Sequence, residues 1–335
     1  MDPLTHTLTG LALSRAGLKR FSVYATPILL LAANAPDIDI VTLAGGWVHY
    51  LHYHRHITHA LAAVPVMALL PVLLVRLFAR RPFDWKWAYV VSLAGVLTHP
   101  LLDWTNAYGI RLLLPFSGHW FRLDIASLRD PWIWAALLLA AVAPLFSKLV
   151  NAEIGARPGS GRGIAIAALC FMALYLSGRY LIHERALAVL DARLYDGAAP
   201  LHVTAVAGSW NPFGWRGIVE TNEFYSIYGL NLLGAFDPAR GRVLYKPEVK
   251  SREAAAAAAA RSTYAFRTFL GFSQLPYWNF APAGRLPDGI RVEALDLRFG
   301  EPLHPRFVAR AQVDGNGKVT ESGFSYEPPN PTSAP

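Results

Sequence analysis

Long runs without charged residues constrain the fold of this chain more than any other feature of the sequence. They cover residues 21–36, 56–75, 87–102, 131–147 and 163–178. Each run approaches the ~20 apolar residues that cross the hydrocarbon layer of a bilayer. Charged residues make up 16% of the 335 positions, against roughly 25% in an ordinary soluble domain. The runs therefore predict a polytopic membrane protein and exclude an average water-soluble one.

Basic residues are concentrated between the apolar runs. The net charge is +8, but the positions follow the pattern of topology signals, so no nucleic-acid partner is expected. The positive-inside rule places three clusters in the cytoplasm: Arg15/Lys19/Arg20, Arg80/Arg81/Lys86 and Lys148/Arg157/Arg162. Membrane lipids are the expected surroundings, and the oligomeric state is left open.

The clusters determine a predicted path through the membrane, which sends 22–43 outward, 60–79 inward, 85–103 outward, 131–150 inward and 163–182 outward. Residues 3–18 are either an amphipathic surface helix or a short crossing. A helix of that length rises roughly 24 Å, close to a thinned bilayer, which favours the crossing. We expect about five to six crossings, and no removable signal peptide at residues 1–20.

The composition becomes that of a globular domain near residue 184. The prediction is a transmembrane helical domain at 1–183, an extracytoplasmic α+β domain at 184–326 and a disordered tail at 327–335. In the α+β domain, β-like runs occur at 201–207, 216–221, 242–246, 290–298, 306–313 and 318–324. Ser251–Gly271 is predicted as a helix, and Asp314–Gly317 as a hairpin turn within an antiparallel sheet. The fold class is thus an α-helical polytopic membrane bundle with a C-terminal α+β soluble domain.

Four groups of acidic and histidine residues lie at membrane depth, where ionisable side chains are costly. Pro36 disfavours helix before Asp37 and Asp39, so both aspartates can face one ion, although a solvated helix end explains them too. The remaining groups are His54 with His59, which a histidine-rich interfacial loop also explains, His99 with Asp103, and His6. His99 and Asp103 are four residues apart and project from one helix face, as metal ligands or as a hydrogen-bonded pair between helices.

The predicted topology puts six of these residues on a single face of the membrane, which charge counting did not require: Asp37, Asp39, His54, His59, His99 and Asp103. His6 lies on the same face if residues 3–18 cross the membrane. Carboxylates and histidines without sulfur suit Zn²⁺, Mn²⁺ or Fe²⁺. The sole cysteine, Cys170, lies within an apolar run, so neither a disulfide framework nor a thiolate site is expected. The number of ligands fits one or two ions, and a two-metal hydrolytic site would activate water near neutral pH.

The motifs resemble those of the YdjM-type family of bacterial membrane-bound metal-dependent hydrolases. The family combines an early His, a Pro-Asp-x-Asp, a His-Arg-x-x-Thr-His and a Ser/Thr-His-x-x-x-Asp, whose order and approximate spacing match over about residues 1–150. The resemblance implies a membrane-embedded hydrolase of the bacterial inner membrane with a metal such as zinc. Two departures are His56, where the family usually has a small residue, and Ala60, where Ser is common. His56 is therefore an additional ligand or a bystander.

Three hypotheses for the function follow. The first is a metal-dependent hydrolase acting near the outer face of the inner membrane on a lipid-linked or phosphorylated substrate, with Arg55 and Arg122 as anchors for an anionic group. The second is a metal-binding or ion-transporting protein without hydrolytic activity. The third treats the bundle as an anchor for a working C-terminal domain. Catalytic residues apart from the ligands are not assigned by the sequence.

Overall fold

The amino-terminal part of the chain is a bundle of helices in which short 3₁₀ segments carry the polar motifs. The computed structural model describes residues 1–153, 161–248, 250–284, 286 and 288–326. The helices are α1 Pro3–Ala16, α2 Ala25–Ala32, α3 Trp47–Tyr53, α4 Val64–Met67, α5 Leu69–Leu77, α6 Trp85–Trp104, α7 Pro131–Glu153 and α8 Arg162–Asp191. The 3₁₀ segments are Leu18–Arg20, Ala35–Gly45, Ile57–His59 and Leu61–Ala63.

The apolar runs form fewer unbroken membrane-length helices than the sequence predicts. Among the described residues, Arg162–Asp191 is long and apolar enough to cross a membrane. Two bent pairs bring the number to three if each counts as one span: Ala25–Ala32 with Ala35–Gly45, bent by 43°, and Trp47–His59 with Leu61–Leu77, bent by 63°. Both bends occur where the aspartate and histidine motifs adopt 3₁₀ turns. The figure of five to six crossings stays a prediction.

Basic residues and motif residues occupy opposite ends of α1. His6 lies one turn from its start, whereas the Arg15 guanidinium near its end donates to the carbonyl oxygens of Ala140 and Ala141 at 2.7 Å. The Arg162 Nε atom donates to the carbonyl of Ala16 at 2.9 Å. Of the third predicted basic cluster, Arg157 and the Lys148 side chain lie outside the described part of the chain.

Small residues let α1, α2 and α6 approach closely. A Cβ atom on Gly10 would lie 2.6 Å from the carbonyl oxygen of Leu29, and one on Gly95 would lie 2.7 Å from the Cβ of Ala32. Glycines at such contacts bring helix backbones together. The close approach places the His6 ring of α1 against the His99 ring of α6, with centroids 3.7 Å apart.

The C-terminal region contains two four-stranded antiparallel sheets, ordered β1-β2-β3-β4 and β5-β6-β7-β8. The strands are β1 His202–Ala207, β2 Gly214–Glu220, β3 Phe224–Asn231, β4 Arg242–Tyr245, β5 Pro276–Pro282, β6 Ile290–Asp296, β7 Val308–Val313 and β8 Val319–Ser325. All six predicted strands are present, but β3 and β5 were missed. The first part of β3 is buried on both faces and so lacks the alternation that signals a strand, and β5 begins and ends with proline.

The predicted helix Ser251–Gly271 is two helices, α9 Ser251–Arg261 and α10 Tyr264–Phe272. The break occurs because Thr263 has extended backbone and its hydroxyl caps α10, accepting from the Phe266 amide. The hairpin turn at Asp314–Gly317 is confirmed: the Asp314 amide bonds the Lys318 carbonyl at 2.9 Å, and Gly317 has φ 80°. The tail 327–335, predicted as disordered, lies outside the described residues.

The C-terminal domain packs on the end of the helical bundle that carries the aspartate and histidine motifs. A hydrophobic cluster joins Phe266, Phe269 and Phe272 to Leu51 of α3 and to Tyr108 in the segment after α6. Helix α8 extends past the predicted boundary at 184 to Asp191 and packs against β1–β3. The division into domains at that residue stays a prediction.

Candidate metal centre

Seven of the residues singled out as ligands gather at one end of the bundle. The 3₁₀ turns and the ends of α1, α3 and α6 supply them: His6, Asp37, Asp39, His54, His59, His99 and Asp103. The imidazoles of His6, His59 and His99 are fully buried and Asp103 is 1% exposed, whereas the Asp37 side chain is 26% exposed. The cluster therefore has one side open to a substrate or to water.

Asp39, in the 3₁₀ segment Ala35–Gly45, forms hydrogen bonds that connect this segment to His54 and Arg55. Its carboxylate accepts from the backbone N–H of Arg55 at 2.9 Å and lies 3.1 Å from His54 Nδ1. Arg55 sits in the left-handed region at φ 55°, a conformation that a non-glycine residue adopts at a cost. The turn at Arg55 is thus held by Asp39, and it separates His54, which directly follows α3, from His59 in the next 3₁₀ segment.

The hydrogen bonds of His59 and His99 direct their Nε2 atoms toward each other. His99 Nδ1 lies 2.7 Å from the carbonyl oxygen of Ala33, and His59 Nδ1 lies 3.0 Å from Thr58 Oγ1 and 3.4 Å from Asp39. The carbonyl partner assigns the ring proton of His99 to Nδ1, and the hydroxyl and carboxylate partners of His59 Nδ1 are compatible with the same tautomer. The two Nε2 atoms are then lone-pair donors only 3.1 Å apart, an arrangement that a shared cation would stabilise.

Carboxylate oxygens surround the same point. Asp37 Oδ1 is 3.4 Å from each of the two Nε2 atoms, and Asp103 Oδ2 is 3.5 Å from His99 and 3.6 Å from His59. A tetrahedral Zn²⁺ with bonds of about 2.0–2.1 Å sets its ligand atoms about 3.3 Å apart. The separations in the cluster match that spacing.

Three overlapping trios of ligand atoms lie within 4.8 Å of one another: His6/His99/Asp103, Asp37/His59/His99 and Asp37/Asp39/His54. Asp37 and His99 each belong to two trios. Both ring nitrogens of His6 and the Oδ2 atom of Asp103 are buried without a hydrogen-bond partner, which is destabilising unless a ligand satisfies them. The donor set fits a divalent ion, and its extent accommodates one or two.

Arg55 and Asn106 extend the cluster toward the C-terminal domain. The Arg55 guanidinium donates to Asp103 at 3.0 Å and to Asn106 Oδ1 at 3.0 Å. It also stacks over the Tyr108 ring at 4.7 Å. Burial raises the pKa of Tyr108 to about 12, so this phenol stays neutral. Sequence reasoning missed Asn106, whose position three residues after Asp103 was the one available signal.

Two predicted residues lie apart from the cluster. The His56 ring faces His52, with centroids 6.1 Å apart, and belongs to none of the three trios. Arg122 forms an ion pair with Asp124 and a hydrogen bond with Gln274 at 2.5 Å. Arg122 therefore joins the bundle to the C-terminal domain. The proposed roles of Arg55 and Arg122 in binding an anionic group of the substrate stay predictions.

The architecture is that of a membrane-associated helical bundle with a buried histidine and aspartate centre. The model of the YdjM inner membrane protein family matches residues 1–186, and the chain belongs to this family, which confirms the resemblance. Residues 255–327 match the YfhP C-terminal alpha/beta plait domain. The uncharacterized protein YfhP of Bacillus subtilis (strain 168) is 27% identical over 342 residues, covering 97% of this chain and 94% of the relative. No solved structure matches the chain.

Proposed function

We propose that this chain is a metal-dependent hydrolase embedded in the inner membrane, with its centre near the outer face. The observation that carries the proposal is the pair of Nε2 atoms of His59 and His99, 3.1 Å apart. The Ala33 carbonyl assigns the ring proton of His99 to Nδ1, and two carboxylates lie within 3.6 Å of the pair. A centre made only of nitrogen and oxygen donors suits Zn²⁺, Mn²⁺ or Fe²⁺.

The ion-binding residues proposed are Asp37, Asp39, His54, His59, His99 and Asp103. His6 joins them through its trio with His99 and Asp103, whereas His56 lies apart from the cluster and is not proposed as a ligand. A bound divalent ion would polarise a phosphoryl or carbonyl oxygen and lower the pKa of a coordinated water. The protein fixes the ligands: the Ala33 carbonyl holds the His99 ring, and Asp39 holds His54 and the Arg55 amide. Arg55 balances the charge of Asp103 while the substrate approaches from the exposed side of Asp37.

A hydrolytic centre at one end of the bundle explains the distribution of buried charge better than a transport path does. Within residues 1–104, which are all described, the buried ionisable side chains are Asp2, His6, Asp39, Arg55, His59, His99 and Asp103. All belong to the cluster or, as with Asp2, to the start of α1. An ion path across the bundle would need further polar groups toward the basic end.

The separation of the basic residues and the metal centre at opposite ends of the bundle also supports the proposed membrane topology. We propose five to six crossings, in which each bent pair and the helices α1, α6, α7 and α8 cross the bilayer. The basic end of α1 would face the cytoplasm under the positive-inside rule. The metal centre and the C-terminal domain packed on it would then be periplasmic, at headgroup depth for a lipid-linked or phosphorylated substrate.

The proposal is tested on the full chain purified in detergent. Elemental analysis should find a divalent metal, and hydrolysis of bis(p-nitrophenyl) phosphate or p-nitrophenyl phosphate should be lost on chelation and restored by the metal. His99→Ala should lose both metal and activity. His202→Ala is the matched control, because its side chain is 76% exposed in the C-terminal domain.

Two outcomes would contradict the proposal in different ways. Parent protein without bound metal, or a His99→Ala variant that keeps the full metal content, would reject the centre. A metal-loaded protein that hydrolyses neither phosphate ester would favour the alternative of a metal-binding or ion-transporting protein.

A further inference from the structure

A cleft lies where the C-terminal domain meets the helical bundle. It has a volume of about 420 Å³, and α3, the segment after α6, and α10 line it with Leu51, His52, Arg111, Trp120, Arg267 and Thr268, among others. The volume falls within the ~300–1,000 Å³ of small-molecule sites. We call it the seam cleft.

Positive charge in the seam cleft has no acidic partner. Arg111 and Arg267 both line the cleft, and none of the described residues that line it is acidic. Arg111 donates to the carbonyl of Gly271 at 3.2 Å and stacks over the Trp120 ring at 4.8 Å. Two arginines that line one cleft without an acidic residue beside them favour an anionic ligand.

Buried polar atoms in the cleft also lack partners. Thr268 is 9% exposed, and its hydroxyl oxygen has no hydrogen-bond partner. The Nε atom of Arg111 is likewise buried and unpartnered. An unsatisfied buried donor is destabilising, and an oxygen-rich anion between Arg111 and Thr268 would satisfy both.

The seam cleft is close to the metal centre but separate from it. The Tyr108 ring contacts Phe272 of the cleft, with centroids 4.6 Å apart, and it also contacts the Arg55 guanidinium, 4.7 Å from its centroid. Phe116, on the same segment as Arg111, is 88% exposed. An exposed aromatic residue on this segment is typical of headgroup depth.

We propose that the seam cleft binds a phosphate monoester or diester group. Arg111 and Arg267 bind its oxygens, the Thr268 hydroxyl donates to it, and Trp120 and Leu51 contact the adjoining apolar part of the ligand. As the anchor for the phosphate of a hydrolysed substrate, the cleft deepens the proposed function and rests on it. Binding of the phosphate does not need the metal.

The test uses chelator-treated full chain in detergent and measures calorimetric binding of inorganic phosphate. Nanodiscs of phosphatidylcholine, with and without phosphatidic acid, then give the melting temperature as a second readout. The double variant Arg111→Gln/Arg267→Gln should weaken phosphate binding at least tenfold or abolish the stabilisation by phosphatidic acid. Arg185→Gln/Arg193→Gln is the matched control, because both arginines are exposed outside the cleft.

Binding of inorganic phosphate would identify a soluble phosphate ester as the source, and a response to phosphatidic acid alone would identify a lipid headgroup. Absence of both responses in the parent, or an equal loss in the control, would overturn the proposal. If the double variant fails to fold, the single variant Arg267→Gln is measured instead. It should fold, because the Arg267 side chain is exposed and has no hydrogen bond or ion pair among the described residues. An unchanged affinity in Arg267→Gln and in Thr268→Val would also reject it. The binding test uses protein without metal. Its outcome therefore does not depend on whether the metal-loaded protein hydrolyses phosphate esters, and the two proposals can fail separately.

Discussion

Arg298→Met should destabilise the C-terminal domain through a single unpaired charge. Arg298 and Asp296 form an ion pair in which both side chains are 0% exposed, with Nη2 2.6 Å from Oδ2. Arg298 also donates to the carbonyl of Ala107 at 2.8 Å, across the seam with the bundle. Removing one partner of a buried pair costs about 3–5 kcal/mol. For a domain of this size that corresponds to a fall in melting temperature on the order of 10 °C.

The loss of stability in Arg298→Met should depend on pH, because it depends on whether the Asp296 carboxyl is ionised. Burial acts to raise the pKa of Asp296, but the charge and hydrogen bonds of Arg298 hold it below its ordinary value. In the parent, the ion pair therefore stabilises the fold fully at pH values above the pKa that Asp296 has in the unfolded chain. This contribution is lost as the pH falls through the lower pKa that Asp296 has in the folded protein. In Arg298→Met the guanidinium no longer opposes the effect of burial, although the backbone N–H groups of residues 274 and 298 still favour the charged form of Asp296. The carboxyl therefore protonates more readily than in the parent, and the deficit should shrink between about pH 7.5 and about pH 5.

Thermal unfolding of the parent and variant at both pH values measures the effect. The double variant Asp296→Asn/Arg298→Met should recover part of the loss, because it removes the charge left behind. Arg240→Met is the control, since Arg240 is 86% exposed and pairs with Asp237 on the surface, where such pairs contribute about 0–1 kcal/mol. A deficit of the same size at both pH values, or none, would refute the reasoning.

Asp103→Asn should abolish metal binding and also lower the melting temperature, because the buried Arg55 guanidinium loses the carboxylate that it pairs with at 3.0 Å; elemental analysis measures the first effect, and a full metal complement would remove Asp103 from the ligand set. Gly95→Ala should lower stability by about 1–3 kcal/mol, because its Cβ would lie 2.7 Å from the Cβ of Ala32; an unchanged melting temperature would contradict the close packing of α2 and α6. Cysteines placed in residues 80–86 of a Cys170→Ala background should resist impermeant reagents in intact cells, while cysteines in the exposed turn residues 315–318 should react; the reverse pattern would reject the topology.

Local patterns were enough to predict most of the secondary structure. Alternating hydrophobic residues and turn residues located six strands, and the Asp314–Gly317 turn occurs as predicted. Those signals act between neighbours in sequence, so they do not need the rest of the fold. Strand β3 was missed because burial on both faces, which removes the alternation, is a property of the packed domain.

The sequence by itself determined which residues can form a metal centre and that they belong to one end of the bundle. Ionisable side chains are costly at membrane depth, and the helical spacing of His99 and Asp103 puts them on one face. Tertiary structure decided how these residues meet. The small residues of α1, α2 and α6 bring His6 against His99, and Asp39 holds the turn at Arg55. The seam cleft depends on tertiary structure throughout, because Arg111 and Arg267 are 156 positions apart in the sequence and converge only when the C-terminal domain packs on the bundle.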